Sequence, residues 1–480
     1  MTMKGNFDFG MIGIGVMGSN LLLNMADHGY AVIGFDLKQE RADKLEAAAE
    51  PGTKVKGTTK VEEMVAALKT PRKIMMLVPA GKPVDNVIEN ILPYLEKDDI
   101  LIDGGNSYFK DTIKRINYLQ DKGIHFFGMG VSGGEMGARL GPSMMPGGDR
   151  SAWQYLQPVL ESIAAKADGK PCVAYMGNNA AGHYVKMVHN GIEYAMMQMI
   201  SEVYDLLHRS GKFSNEALHD VFDRWNEGQL QSFLIQVTAE VFNTLDNETD
   251  DPHDFLIDKI LDQAGSKGTG KWTSQEAMDL PVAVPSIDMA VCMRDLSVYK
   301  QQRVKAAGLY KPEIGTTRID EQVLAEIENG LTFCFAIAYV QGLNMLAMAS
   351  KVHNMDISLP SVIDVWKAGC IIRSALLGNF ENAFNKDRTL ENVLLDKAFA
   401  NMMKNREQAC RRLLSLGVQA RIPMACIGSA LAYYDAFLSE KMPINLVQAQ
   451  RDYFGAHTYR RTDREGVFHT EWTVGTNEKP

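Results

Sequence analysis

Two sets of residues in this chain have the types and spacing to do chemistry. In the first, Gly13, Gly15 and Gly18 stand in G-x-G-x-x-G spacing, and Asp36 follows about 20 residues later. This is a dinucleotide-binding pattern: the glycines let the turn close and the backbone approach a pyrophosphate. The helix that follows presents free N–H groups and a positive dipole end to that anion. In the second set, Lys186, His189, Asn190 and Glu193 are spaced i, i+3, i+4, i+7 and so share one helix face. Their neighbours are apolar: Val185, Met187, Val188, Ile192 and the run Met-Met-Gln-Met-Ile. An ionisable stripe in such surroundings reads as a functional site rather than a solvated face.

The flanking sequence supplies elements to position both sets. Phe7 to Ile12 reads as a strand, Ser19 to His28 as a helix, and Tyr30 to Phe35 as a second strand. Further apolar runs end in Gly or Pro at Lys73 to Pro79, Ile100 to Gly105 and Ile124 to Gly134, with helical patterns between them. This alternation predicts a Rossmann-type, doubly wound parallel sheet. The loops Val78 to Gly81, Gly104 to Ser107 and Val131 to Gly134 then lie at the carboxyl edge, where such sheets bind ligands. From about Gly182 the alternation gives way to long helical patterns that run to about Glu440. The expected fold is α/β followed by all-α. It comprises a dinucleotide-binding domain (1–181), a helical substrate and dimerisation domain (182–440) and a C-terminal tail (441–480). The tail shows little helix periodicity in RDYFGAHTYRRTDREGVFHTEW and is too aromatic for a flexible linker. Val221, Trp225 and Gly228 recur as Val362, Trp366 and Gly369, a period of about 141 that suggests an internal duplication. The second copy has Ile327, Gly330, Leu331 and Cys334 where the first has its polar stripe, so the helical fold itself does not demand that stripe.

The 480 residues are 46% hydrophobic and 23% charged, ordinary values for a globular protein with a large core. A net charge of −9 argues against a nucleic-acid partner but not against a local anion site. The six cysteines, Cys172, Cys292, Cys334, Cys370, Cys410 and Cys426, include no C-x-x-C pair. They read as reduced core residues of a cytoplasmic protein, not as a metal site. There is no signal-peptide pattern, and the apolar run near Leu331 to Val340 is too short to span a membrane.

The motifs GIGVMGSN, DGGNS, GVSGGEMGARLGPSMMPGG, KMVHNGIEY, GSKGTGKWT, AGCIIRS and RDYFGAH occur in this order over nearly the whole chain. In them the chain resembles the decarboxylating 6-phosphogluconate dehydrogenases. The resemblance implies oxidative decarboxylation of 6-phospho-D-gluconate to D-ribulose 5-phosphate and carbon dioxide, a step of the pentose phosphate pathway and of gluconate utilisation. It implies Lys186 as general base and Glu193 as the acid that protonates carbon 1, with no metal. Substrate contacts are implied for Asn106, Ser132, Gly133, Gly134, His189 and Asn190. For the phosphate, Tyr194, Lys267, Thr269 and Arg294 are implied from one subunit and Arg451 and His457 from the tail of a homodimer partner. The cofactor contacts it implies are Gly13, Gly15, Val16, Met17, Gly18, Asp36, Leu37, Lys38, Val78, Ala80 and Asn106.

Three places depart from the family pattern. Asn-Arg-Thr after the second strand is replaced by Asp36, Leu37 and Lys38. Val-Lys-Ala-Gly is replaced by Val78, Pro79, Ala80 and Gly81, and Arg-Gly-Gly-Cys by Lys367, Ala368, Gly369 and Cys370. Asp36 suits the ribose hydroxyls of NAD and repels the 2′-phosphate of NADP, so the cofactor is NAD or NADP with a leaning towards NAD. Two other readings are a shorter β-hydroxyacid dehydrogenase of the 3-hydroxyisobutyrate type and a catalytically silent nucleotide sensor. The former has no use for RDYFGAH. The intact Lys186 and Glu193 argue against the latter.

Overall fold

Seven short strands form the sheet that the opening glycines enter: β1 (Phe9–Ile12), β2 (Val32–Phe35), β3 (Val55–Thr58), β4 (Lys73–Met76), β5 (Ile100–Asp103), β6 (His125–Ser132) and β7 (Ser143–Gly148). In this computed structural model, residues 5–249, 251 and 253–472 are described. The strand order is β3-β2-β1-β4-β5-β6-β7. β1 to β6 are parallel, with Met11 facing Gly34 on one side and Met75 on the other; β7 runs antiparallel to β6. Helices α1 (Val16–Asp27), α2 (Gln39–Ala47), α3 (Val61–Ala67), α4 (Lys82–Ile91), α5 (Phe109–Gln120), α6 (Gly134–Leu140) and α7 (Trp153–Ile163) alternate with the strands. Successive strand residues point to opposite faces. Accordingly Met11 and Met75 join a core with Leu21, Leu22 and Phe127, while Ile12 and Met76 join another with Val84 and Ile88. Both faces are thus covered, as a doubly wound sheet requires.

The sheet differs from the sequence expectation in two strands and a helix start. β3 and β7 were not legible as strands, and α1 begins at Val16 rather than Ser19. The early start matters, because the glycine turn then leads directly into the helix.

The helical part consists of α8 (Ala181–Asp205), α9 (Asn215–Asn226), α10 (Phe233–Phe242), α11 (Thr269–Asp279), α12 (Pro285–Ser297), α13 (Lys300–Tyr310), α14 (Glu321–Val352), α15 (Leu359–Trp366), α16 (Leu377–Lys386), α17 (Lys397–Ala420) and α18 (Ala425–Phe437). The duplication is visible in it. Long helices α8 and α14 are each followed by two short ones, and the paired Trp225 and Trp366 are both buried. The copies meet at an antiparallel bridge between Ser232 and Ser374. There Phe233 N–H donates to Arg373 O at 3.1 Å, and Ala375 N–H donates to Gln231 O at 2.9 Å. These two bonds are the pair that flanks an antiparallel bridge.

α14 exceeds the apolar run read from sequence. Its 32 residues are long and apolar enough to cross a membrane, yet 83% of the apolar stretch is buried inside the protein. α8 lies directly on the sheet. A Cβ at Gly182 would sit 2.1 Å from Gly128 O, and one at Gly130 would sit 2.3 Å from Lys186 Cβ. Those two glycines let the helix axis approach β6 until Lys186 reaches the sheet edge. Five cysteines are buried as expected, but Cys292 is exposed on α12, whose outer face it occupies.

Contacts divide the chain into two units with a break between Ala430 and Leu431. In the second unit, α19 (Ile444–Gly455) contains Arg-Asp-Tyr-Phe-Gly, so the tail motif begins as helix where the sequence showed little helical periodicity. Among the described residues, the backbone after α19, from Ala456 to Trp472, is irregular, with one bridge between Tyr459 and Phe468.

Candidate active site

The glycine turn has the three properties that a pyrophosphate needs. Gly13 has φ +88°, a left-handed conformation that favours glycine. A Cβ on Gly18 would lie 2.1 Å from Gly13 O, so the helix can pack on the turn only through glycine. Gly15 faces open space, with nothing within 4 Å of an added Cβ. α1 starts at once, with no side-chain cap on its first N–H groups and no acid in its first turn. This chain's own backbone therefore fits a bound dinucleotide phosphate. A cleft of 710 Å³ adjoins the turn, lined by Gly13, Gly15, Asp36, Leu37, Arg41 and Val78 among others. Val16, Met17, Gly18, Lys38, Ala80 and Asn106 are not among its lining residues.

Asp36 is not the free acceptor that the sequence suggested. One carboxylate oxygen accepts Lys38 N–H at 3.1 Å, and the other pairs with Arg41 Nη1 at 2.9 Å. Arg41 therefore lines the cleft with its charge already directed at Asp36.

Lys186, His189 and Asn190 of the helix stripe form one hydrogen-bonded group, with Glu193 beside it. Lys186 is 6% exposed and His189 fully buried. Lys186 Nζ lies 3.3 Å from His189 Nδ1, which lies 3.0 Å from Asn190 Oδ1 and 3.7 Å from Glu193 Oε2. On its other side His189 Nε2 is 3.3 Å from Ser132 Oγ, and Asn190 Nδ2 donates to Thr269 Oγ1 at 3.2 Å. Burial, chiefly, pushes the Lys186 ammonium below its ordinary pKa, against the pull of Glu193. Burial likewise pushes the Glu193 carboxyl up, against Lys186 and Arg294. Burial and then the Lys186 charge drive His189 well below the usual histidine range, which keeps the ring neutral. The site thus tends towards a neutral amine and a neutral carboxylic acid seven residues apart on one face, a base and an acid in the forms that proton transfer uses.

The surrounding loops complete the pocket wall. Gly133 and Gly134 both have positive φ, +127° and +64°. In DGGNS, Asp103 accepts Gly105 N–H at 3.0 Å and the Ser107 hydroxyl at 2.6 Å, which shapes the turn carrying the exposed Asn106. His183 Nε2 donates to Asp103 O at 2.9 Å and so ties that turn to α8. Arg294 stacks on Tyr194, 3.6 Å from the ring centre. Lys267 stands exposed just before α11. Arg451 and His457 lie in the second unit.

Sequence reasoning missed what AGCIIRS does here. Trp366 packs edge-on against His189 at 5.8 Å, and Ile371 N–H donates to Ser132 Oγ at 3.4 Å. The carbonyl of Gly369 lies 2.6 Å from the place of a Cβ on Gly133. The signal was the repeat: the second Trp-x-x-Gly copy closes the wall of the first copy's stripe. Lys367, at a departure from the family pattern, pairs with Asp168 at 2.6 Å and Glu381 at 2.8 Å.

Comparison with known proteins agrees with this architecture. Residues 8–207 match the family model for the NAD binding domain of 6-phosphogluconate dehydrogenase, and residues 182–472 match that for its C-terminal domain. A decarboxylating 6-phosphogluconate dehydrogenase of Lactococcus lactis subsp. lactis is 48% identical over 97% of this chain and 98% of the relative. An NADP(+)-dependent, decarboxylating one from Bacillus subtilis is also 48% identical, over 96% and 98%. The solved Plasmodium falciparum 6-phosphogluconate dehydrogenase superposes with a TM-score of 0.92 at 41% identity, covering 97% of this chain and all of that one. With the two family models together covering residues 8–472 and the glycine turn and α8 stripe in place, the chain belongs to the 6-phosphogluconate dehydrogenase family.

Proposed function

We propose that this protein oxidatively decarboxylates 6-phosphogluconate to ribulose 5-phosphate. The observation that carries the reading is the Lys186–Glu193 pair on one face of α8, a buried amine and a partly buried carboxyl each displaced towards its neutral form. When bound, the nicotinamide supplies the hydride acceptor. Lys186 takes the proton of the substrate's 3-hydroxyl as hydride leaves carbon 3. The resulting β-keto acid loses its carboxylate as carbon dioxide, and the ketone receives the electron pair. Lys186, now protonated, donates to that oxygen, so the step is assigned no metal. Glu193 then protonates carbon 1 of the enediol while neutral Lys186 takes back the proton of the carbon 2 hydroxyl, giving the ketone. Ser132, Gly133 and Gly134 hold the carboxylate, and His189, Asn190 and Asn106 orient the hydroxyls. Tyr194, Lys267, Thr269 and Arg294 face the phosphate. Purified protein given 6-phosphogluconate and either cofactor should accumulate reduced nicotinamide and release carbon dioxide. Turnover of 3-hydroxyisobutyrate in place of 6-phosphogluconate would sink the reading.

The division of labour follows the expected segments: 1–181 hold the cofactor, 182–440 the substrate and a dimer contact, and 441–480 reach the partner's site. Exposed Val304, Leu309 and Tyr310 on α13 support a covered surface there, as do Tyr453 and Phe454 on α19. The setting is the cytoplasm, without nucleic-acid or membrane partners.

For the cofactor, the preference is for NAD. Asp36 occupies the ribose position, and Leu37 offers no donor for a 2′-phosphate. The Arg41 pair offsets part of the repulsion, which makes the preference moderate. We expect kcat/KM to favour NAD by about tenfold, the scale of one charged contact. Asp36→Asn with Leu37→Arg should reverse that order in steady-state kinetics. A wild-type enzyme clearly more efficient with NADP would mean that Lys38 and Arg41 outweigh Asp36.

A further inference from the structure

The second unit is organised around one carboxylate. Asp452, on α19, is closed off from solvent. It accepts four hydrogen bonds: Thr458 N–H at 2.8 Å, His469 Nδ1 at 2.9 Å, Thr470 N–H at 3.0 Å and Trp472 Nε1 at 2.9 Å. Three of these donors come from the end of the tail, ten or more residues beyond the helix. Enclosure alone would raise the pKa of this carboxyl. Its donors outweigh that and hold it down to about 2, so it stays ionised at physiological pH.

The backbone beside it is strained. Ala456 has φ +49° and Thr458 has φ +60°. Left-handed backbone is unfavourable for any residue with a Cβ and is an outlier for a β-branched one such as Thr458. Between these two residues stands His457, and the bond from Thr458 N–H to Asp452 fastens the bend. Gln448 adds a second tie: it accepts from Arg451 Nη1 at 3.1 Å and donates to Thr458 O. Arg451 and His457, adjacent to this network on either side, are themselves exposed.

We propose that Asp452 is a positioning residue for substrate phosphate: it holds the strained bend that sets Arg451 and His457 in place before the substrate arrives. The inference rests on the reading that the tail supplies phosphate-binding groups. Asp452 touches no substrate. It acts by making the tail a preformed clamp, so that binding does not have to order the segment.

The test is Asp452→Asn in the full-length protein, assayed with 6-phosphogluconate and with gluconate, which lacks the phosphate. The expected result is a KM for 6-phosphogluconate raised by about 10- to 100-fold, the scale of a misplaced binding group, with a much smaller change in kcat. The preference for 6-phosphogluconate over gluconate should fall by the same factor. Thr458→Gly in the Asp452→Asn background should recover part of the loss, because glycine adopts φ +60° without strain. An unchanged KM and preference would overturn the proposal, and so would a loss without rescue by glycine. If Asp452→Asn does not assemble, Trp472→Phe decides. It removes one donor and keeps the ring, and it should raise KM for 6-phosphogluconate alone; an unchanged KM overturns the proposal. A wild-type enzyme with no preference for the phosphorylated substrate would instead refute the underlying reading of the tail.

Discussion

Lys186→Ala is expected to lower kcat by about 10²- to 10⁴-fold, the usual contribution of a positioned general base. The fold should survive, since the change removes a buried, desolvated amine rather than a core side chain. Far-ultraviolet circular dichroism and cofactor affinity should match wild type. The pH dependence carries the sign. The amine must be neutral to accept a proton, so activity falls on the acid side as Lys186 gains one. The carboxyl must be protonated to give one, so activity falls on the basic side as Glu193 loses its proton. Burial moves Lys186 down and Glu193 up, so each shift favours the form that its role needs. The two titrate as a coupled pair, and the limbs of the profile belong to both. Glu193→Gln should lower turnover and flatten the basic limb with little effect on cofactor binding. Near wild-type turnover in Lys186→Ala would remove the α8 stripe from the catalytic role.

Shortening the chain before Arg451 is expected to raise KM for 6-phosphogluconate by about 10²-fold or more. The deletion removes Arg451 and His457 from the proposed phosphate site, and a hydrogen bond to a charged group is worth about 1.5–3 kcal/mol. Steady-state kinetics at several protein concentrations would measure it, with Arg451→Ala and His457→Ala as finer probes. Sedimentation should find wild-type protein as a dimer wherever it is active. A fully active monomer would refute the shared site.

The parts of the fold that could be read were those whose burial pattern is simple. β1, β4 and β5 are covered on both faces and therefore appear as short apolar runs, broken only by Lys73 at the start of β4 and Asp103 at the end of β5. β3 is Val-Lys-Gly-Thr at the sheet edge, too short and too mixed to show a period. Its Gly57 is set by contact with α2, a Cβ there meeting Ala42 O at 2.5 Å. β7 contains Pro146, Gly147 and Gly148, which argue against a strand in isolation. An edge position tolerates the proline, and a Cβ on Gly147 would sit 2.2 Å from Gly182 N. That requirement comes from α8, and nothing local to β7 announces it. The α8 stripe was legible because helix spacing alone puts its members on one face. The pairing of Asp36 with Arg41 was not, because it depends on how the first turn of α2 folds back towards β2.

α8 is pressed against the sheet at Gly130 and Gly182 and against α14 at Gly342, where a Cβ would meet Ile192 at 2.5 Å. Lys186 and Glu193 are therefore mounted on one stiff rod, their Cα atoms about 10 Å apart along the axis at 1.5 Å per residue. Movement of the loops that carry the cofactor alters the approach of hydride acceptor to substrate and leaves the base-to-acid spacing untouched. With Lys186 as base and Glu193 as acid, as proposed above, hydride transfer is the step that loop substitutions and solvent viscosity should perturb, whereas decarboxylation and reprotonation run on a fixed spacing.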